Sequence, residues 1–181
     1  GWSDAEWVGY LIDEPASREA QHDGMRLADF VRLPEALEAG LSAAQVLAIR
    51  LYSSSVYRTI NGPLRQGCSS ARPHPLPATV GHLATALQLL CKGSRQAVPE
   101  VLWRGVRDYT LDEADADFLI RGGTELALFS TTSRRMLAEY YATGLNAWQG
   151  TVLFQIRVRP ERCSCAAIHA FSCSPGEGEY L

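Results

Sequence analysis

The residue pattern changes its period near residue 95, and this constrains the fold more than any composition value. Before that point apolar residues recur at helical spacing, and after it short β-favouring runs are separated by glycine-bearing turns. Helices first and strands later predict an α+β domain spanning residues 1–181, with 1–95 mainly helical and 96–181 mainly β. Ser42-Ala43-Ala44-Gln45 has the form of a capping box, and the lack of Pro or Gly through Asn61 predicts one helix of about five turns, stopped by Gly62-Pro63. Val80, Leu83, Ala84, Leu87, Leu90 and Cys91 form the apolar stripe of a second helix, starting after Pro77 and ending before Gly93. Between the two, the Ser- and Pro-rich stretch from Gly67 to Pro77 reads as an exposed loop. The expected strands are Val101–Val106, Leu126–Thr132 and Thr151–Val158. Trp2, Trp7 and Tyr10 are candidates to cover the core.

A chain of 181 residues is long enough to bury a core of its own. With 46% hydrophobic and 20% charged residues it has the make-up of a globular protein. A net charge of -3 argues against nucleic acid as the main partner, because binding phosphate backbones needs a basic face. No apolar run reaches membrane-span length, and no charged-then-apolar leader is present. Five cysteines make an odd count without framework spacing, which favours a reducing, cytoplasmic setting. A monomer is expected.

Several motifs are better explained by structure than by chemistry. Cys163, Cys165, His169 and Cys173 have spacings that suit zinc, but the alternating run around them reads as a half-buried strand with small apolar cysteines, so no metal is expected. The acids from Asp112 to Asp117 lack the alternate-position ligands of a calcium loop and fit a helix-initiating turn. His22, His74, His82 and His169 form no ordered constellation, and no phosphate-binding loop is present.

Three polar features remain. Arg104 interrupts an apolar strand, Ser130-Thr131-Thr132-Ser133 follows Phe129, and Glu177-Gly178-Glu179 closes the chain. If the segment after Gly176 is extended, residues two apart point to one side, so Glu177 and Glu179 face a common site. Each feature alone is commonplace, but their order is not. Leu102-Trp103-Arg104-Gly105, Phe129-Ser130-Thr131-Thr132-Ser133 and Gly176-Glu177-Gly178-Glu179-Tyr180-Leu181 together resemble the arginine, serine-threonine-serine and glutamate signature of the cholera-toxin-like mono-ADP-ribosyltransferases. Tyr52-x4-Tyr57-x2-Ile60-Asn61-x2-Leu64-Arg65 is similar to the helix-to-loop segment that carries an asparagine and an arginine toward the NAD phosphates in the binary-toxin branch. The resemblance spans residues 52–181, and it departs from the signature in reading Ser-Thr-Thr-Ser for Ser-Thr-Ser. Members of that family continue past the second glutamate into another apolar strand, so chain beyond Leu181 is expected.

The resemblance implies a two-sheet mixed β-sandwich under the helical portion, with the NAD cleft between the sheets. It also implies transfer of ADP-ribose from NAD to a protein side chain, with arginine indicated because the first acid of the turn is glutamate. NAD hydrolysis at the same site, or a catalytically silent NAD-binding or interaction module, are the alternatives. Breaking the nicotinamide-ribose bond passes through an oxocarbenium-like state, which a carboxylate beside the sugar stabilises. Glu179 is the candidate for that task, and Glu177 for orienting an incoming guanidinium and accepting its proton. Arg104, assisted by Arg65 and Asn61, suits the pyrophosphate, since a guanidinium fork holds phosphate oxygens by paired hydrogen bonds. Ser130 takes an orienting role, and Gly105 and Thr131 belong to the nucleotide-binding strands. Phe129 or Tyr180 can wall the nicotinamide, although core packing suits Phe129 better. The expected partners are therefore NAD, as co-substrate, and an acceptor protein with an exposed arginine.

Overall fold

The computed structural model describes residues 22, 24–93, 98–107, 120–143, 150–159 and 165–181. The acidic stretch Asp112 to Asp117, Cys163 and the aromatics Trp2, Trp7 and Tyr10 lie outside them. The described helices are α1 (Leu27–Phe30), α2 (Pro34–Ala39), α3 (Ala43–Tyr52), α4 (Tyr57–Arg65), α5 (Pro77–Gly93) and α6 (Arg135–Thr143). The strands are β1 (Val101–Val106), β2 (Thr131–Thr132), β3 (Val152–Arg157) and β4 (Glu179–Tyr180). The α+β expectation holds, and the regular elements described between residues 24 and 93 are helices. α6 was not foreseen in the second half.

α3 begins at its capping box: the backbone N–H of Gln45 donates to Ser42 Oγ, and the backbone N–H of Ser42 donates to Gln45 Oε1 at 2.8 Å. It ends at Tyr52, so the long helix expected through Asn61 is two helices with a break at 53–56. Serine chemistry explains the break. Ser53 Oγ donates to Arg50 O at 2.9 Å and Ser54 Oγ to Leu51 O at 2.7 Å, so the hydroxyls compete for carbonyls at the helix end. Gly62 and Pro63 do not stop the chain but lie inside α4. α5 runs from Pro77 to Gly93, close to the predicted bounds. The core is built from Phe30, Val46, Ile49, Ile60, Leu83, Ala86 and Leu90 of the helical half, with Ile168 and Phe171 from the C-terminal segment. Burying such aliphatic and aromatic side chains stabilises a fold by roughly 1.5–3 kcal/mol each.

The described strands form one sheet in the order β3-β1-β2-β4, with every pairing antiparallel. The sandwich expected from the resemblance is thus represented by a single antiparallel sheet among the described residues. Only Thr131–Thr132 of the expected Leu126–Thr132 strand pairs. Upstream, the backbone of Leu128 is claimed by side chains: Asn61 Nδ2 and Tyr52 Oη donate to its carbonyl at 3.0 and 3.2 Å, and its N–H donates to Asn61 Oδ1 at 3.2 Å. The run around His169 is not a strand either. Ala167 makes one bridge to Tyr180, and the chain then turns at 169–171.

α6 packs across β1, and Gly105 is what permits it. A Cβ there would sit 1.9 Å from Ala138 O and 2.7 Å from Ala142 N, both backbone atoms that cannot swing away.

Candidate active site

The hydroxyl strand brings the site together. Trp103 of β1 pairs with Thr132 of β2, which pairs with Glu179 of β4, so three strands place one residue each in a row. Cross-strand partners share a face of the sheet, and all three line a cavity of about 970 Å³. Its walls also include Tyr52, Tyr57, Arg58 and Asn61 from α3 and α4, Arg104, Gly105 and Arg107 from β1 and its end, Tyr141 from α6, and Glu177. Among the described residues the cleft lies between the sheet and helices α3, α4 and α6.

Glu179 is only 7% exposed. Ser130 Oγ donates to its Oε1 at 2.6 Å, and Ser172 Oγ reaches Oε2 at 3.4 Å. Burial pushes its carboxyl up to about 7, and the neighbouring Glu177 charge adds to the rise, while Ser130, Ser172 and Arg104 oppose it. Arg104 Nη1 donates to Ser130 O at 2.9 Å, and its guanidinium lies 4.3 Å above the Phe129 ring. Desolvation pulls Arg104 below the ordinary arginine value, but a guanidinium remains a cation at any physiological pH. Arg104, Ser130 and Glu179 thus form one contiguous chain of contacts.

The two glutamates do reach one cavity, although not by strand alternation. Glu177 ends a 3-10 turn (Pro175–Glu177), Gly178 takes the left-handed region at φ 57°, and only Glu179 is in a strand. Gly178 fits because that region penalises a side chain. Thr132 Oγ1 donates to Glu177 O at 2.6 Å, and Arg134 Nη1 donates to Gly176 O, so the turn is tied to β2 and the segment after it. Tyr141 Oη donates to Glu177 Oε1.

The remaining expected residues are placed differently. Asn61 is 2% exposed, and its amide is spent on Tyr52 and on both backbone groups of Leu128. It shapes the cleft wall. Arg65 is half-exposed and paired with Glu125 at 3.2 Å, away from the cavity lining. Thr131 lines the cavity, but its hydroxyl donates to Tyr180 O at 3.1 Å. Phe129 braces Arg104 from below and meets Phe154 edge-to-face at 6.3 Å, outside the cavity lining. Gly105 lines the cavity while its Cβ direction faces α6.

Sequence reasoning passed over Tyr141, Ser172, Arg58 and Arg107. Tyr141 lies on the unforeseen helix, and Ser172 sits seven positions before Glu179 with no motif to mark it. Arg58 and Arg107 add positive charge at the cleft, and Arg58 lies 5.8 Å above the Tyr57 ring. Among the described residues no group of three or more His, Cys, Asp or Glu could hold a metal ion.

An α+β fold with a buried carboxylate, a hydroxyl partner and an adjacent guanidinium at one cleft defines a protein suited to bind an anionic nucleotide and stabilise a sugar cation. Residues 15–181 match the family model of NAD:arginine ADP-ribosyltransferases, and the chain belongs to that family. It is an NAD-dependent ADP-ribosyltransferase. Among solved structures, the crystal structure of the ADP-ribosyltransferase HopU1 of Pseudomonas syringae pv. tomato DC3000 is similar in fold, with a TM-score of 0.61 at 19% identity, covering 99% of this chain and 76% of that one. No curated protein matches this sequence.

Proposed function

We propose that this chain transfers ADP-ribose from NAD to an arginine side chain of a protein acceptor, with Arg104, Ser130, Glu179 and Glu177 carrying the reaction. The observation that carries this reading is the continuous contact from Arg104 through Ser130 to Glu179 at the wall of a single cleft. Its volume of about 970 Å³ suits a ligand the size of a dinucleotide.

Arg104 offers its remaining N–H groups to the pyrophosphate, with Arg58 and Arg107 adding positive charge. The bond between the nicotinamide nitrogen and ribose C1 breaks, and its electron pair goes to the ring nitrogen, which discharges the pyridinium. Positive charge then builds on the ribose, and the ionised Glu179 stabilises it from a position fixed in advance by Ser130. A carboxyl pushed up to about 7 is only partly ionised at neutral pH, and the arriving cationic nicotinamide draws it toward the charged form. An acceptor guanidinium nitrogen attacks C1, the new carbon-nitrogen bond forms, and Glu177 takes the proton released.

The test is incubation with NAD and an arginine-rich peptide, reading nicotinamide release and peptide mass. Peptide carrying one ADP-ribose on arginine is the expected product. Free ADP-ribose with an unmodified peptide would instead mean hydrolysis, and attachment to another side chain would overturn the arginine assignment.

A further inference from the structure

Glu177 and Glu179 share a cleft but are held by different parts of the fold. Glu179 receives hydroxyls from Ser130 and Ser172, both outside α6. Glu177 receives the hydroxyl of Tyr141, which α6 carries. The backbone of Glu177 is already fixed: its N–H donates to Ser174 O at 3.0 Å, its carbonyl accepts from Thr132, and Gly178 sets the turn. Only the side-chain torsions remain, and the Tyr141 contact settles them. Tyr141 is itself well located, because its neighbour Ala142 and the preceding Ala138 press their backbone against Gly105.

We propose that Tyr141 is a positioning residue that aims the Glu177 carboxylate at the acceptor guanidinium and so sets the ratio of transfer to hydrolysis. The proposal rests on the arginine-transfer reading above. By occupying Oε1, the phenol leaves Oε2 to meet an N–H of the guanidinium and take its proton. Burial and the Glu177 hydrogen bond both raise the tyrosine pKa well above its ordinary value, so the donor stays neutral and in place at working pH. Without it the carboxylate can turn to accept from water, which favours hydrolysis of the same oxocarbenium-like intermediate. A hydrogen bond to a charged group is worth roughly a factor of ten or more in a rate it controls.

The test measures nicotinamide release without acceptor and ADP-ribose transfer to arginine methyl ester, for wild type, Y141F, E177Q and Y141F/E177Q. In Y141F the transfer-to-hydrolysis ratio is expected to fall about tenfold or more, whereas adding Y141F to E177Q changes it less than about twofold, because the partner it positions is already gone. Equal loss of both activities in Y141F, an unchanged ratio, or full additivity in the double variant would each overturn the proposal. So would loss of cooperative thermal melting in Y141F, since that makes the hydroxyl a structural requirement. A wild-type protein that cleaves NAD but modifies no guanidine would sink the arginine reading itself, and the positioning role with it.

Discussion

Glu179→Gln should abolish nicotinamide release while making the folded protein more stable above neutral pH. The side chain is 7% exposed, and its carboxyl sits at about 7 instead of 4.5, mainly through burial. Below pH 4.5 both the folded and the unfolded chain keep this proton, and the group adds nothing to the pH dependence. Between 4.5 and 7 the unfolded chain releases it and the folded chain does not, so stability declines as pH rises through that window. Above 7 the ionised group is buried at full cost, on the order of 3 kcal/mol at roughly 1.4 kcal/mol per pH decade. Glutamine keeps an oxygen for Ser130 and offers an N–H to Ser172, without the charge. The variant should therefore be about 1–3 kcal/mol more stable at pH 8, a rise in Tm of roughly 3–10 °C, and the gap should close toward pH 4.5. Urea unfolding of both proteins across this range measures it. A variant less stable than wild type at pH 8, or a gap that ignores pH, would refute the linkage. Nicotinamide release should fall by about a hundredfold or more, the scale for losing a preorganised electrostatic partner. A variant that cleaves NAD at the wild-type rate would remove Glu179 from the mechanism.

Gly105→Ala should cost about 3 kcal/mol or more, since the new methyl meets the α6 backbone and the helix must shift; an unchanged melting temperature would show that α6 is not held there. Asn61→Ala should lower stability by about 2–3 kcal/mol in urea melts, because both backbone groups of Leu128 lose a partner. Unchanged stability with a raised KM for NAD would instead assign Asn61 to the nucleotide. Arg104→Lys should raise the KM for NAD about tenfold, because an ammonium cannot hold Ser130 O and a phosphate pair in one fork; steady-state kinetics with an unaltered KM would contradict this.

The convergence of Arg104, Ser130 and Glu179 on one cleft was legible from the order of three motifs and their resemblance to a family signature, since each motif alone is commonplace. Glu179 and Arg104 stand in strands whose pairing brings both close to Ser130. Local signals were legible where a side chain completes its own element, as at the Ser42 and Gln45 capping box. They failed where distant side chains took over backbone groups. Asn61 and Tyr52 satisfy Leu128 and thereby replace a strand that local propensity favours, and nothing near Leu128 in sequence announces it. The break after Tyr52 is encoded by Ser53 and Ser54, whose hydroxyls take helix-end carbonyls although no Pro or Gly interrupts the run. Tyr141 was hidden for a different reason: its partner lies 36 positions away, across a turn whose geometry the Glu177-Gly178-Glu179 spacing does not specify.

β4 is bonded on both of its edges. One edge pairs with β2, and on the other Ile168 N donates to Glu179 O at 3.0 Å while Ala166 and Leu181 exchange bonds. The turn carrying Glu177 has no such double frame. The motif therefore joins a carboxylate framed by backbone on both sides to one held by a turn and a hydroxyl from α6, two residues apart. On the roles proposed above, substitutions around Glu177 are expected to alter the acceptor step more than the cleavage of NAD beside Glu179.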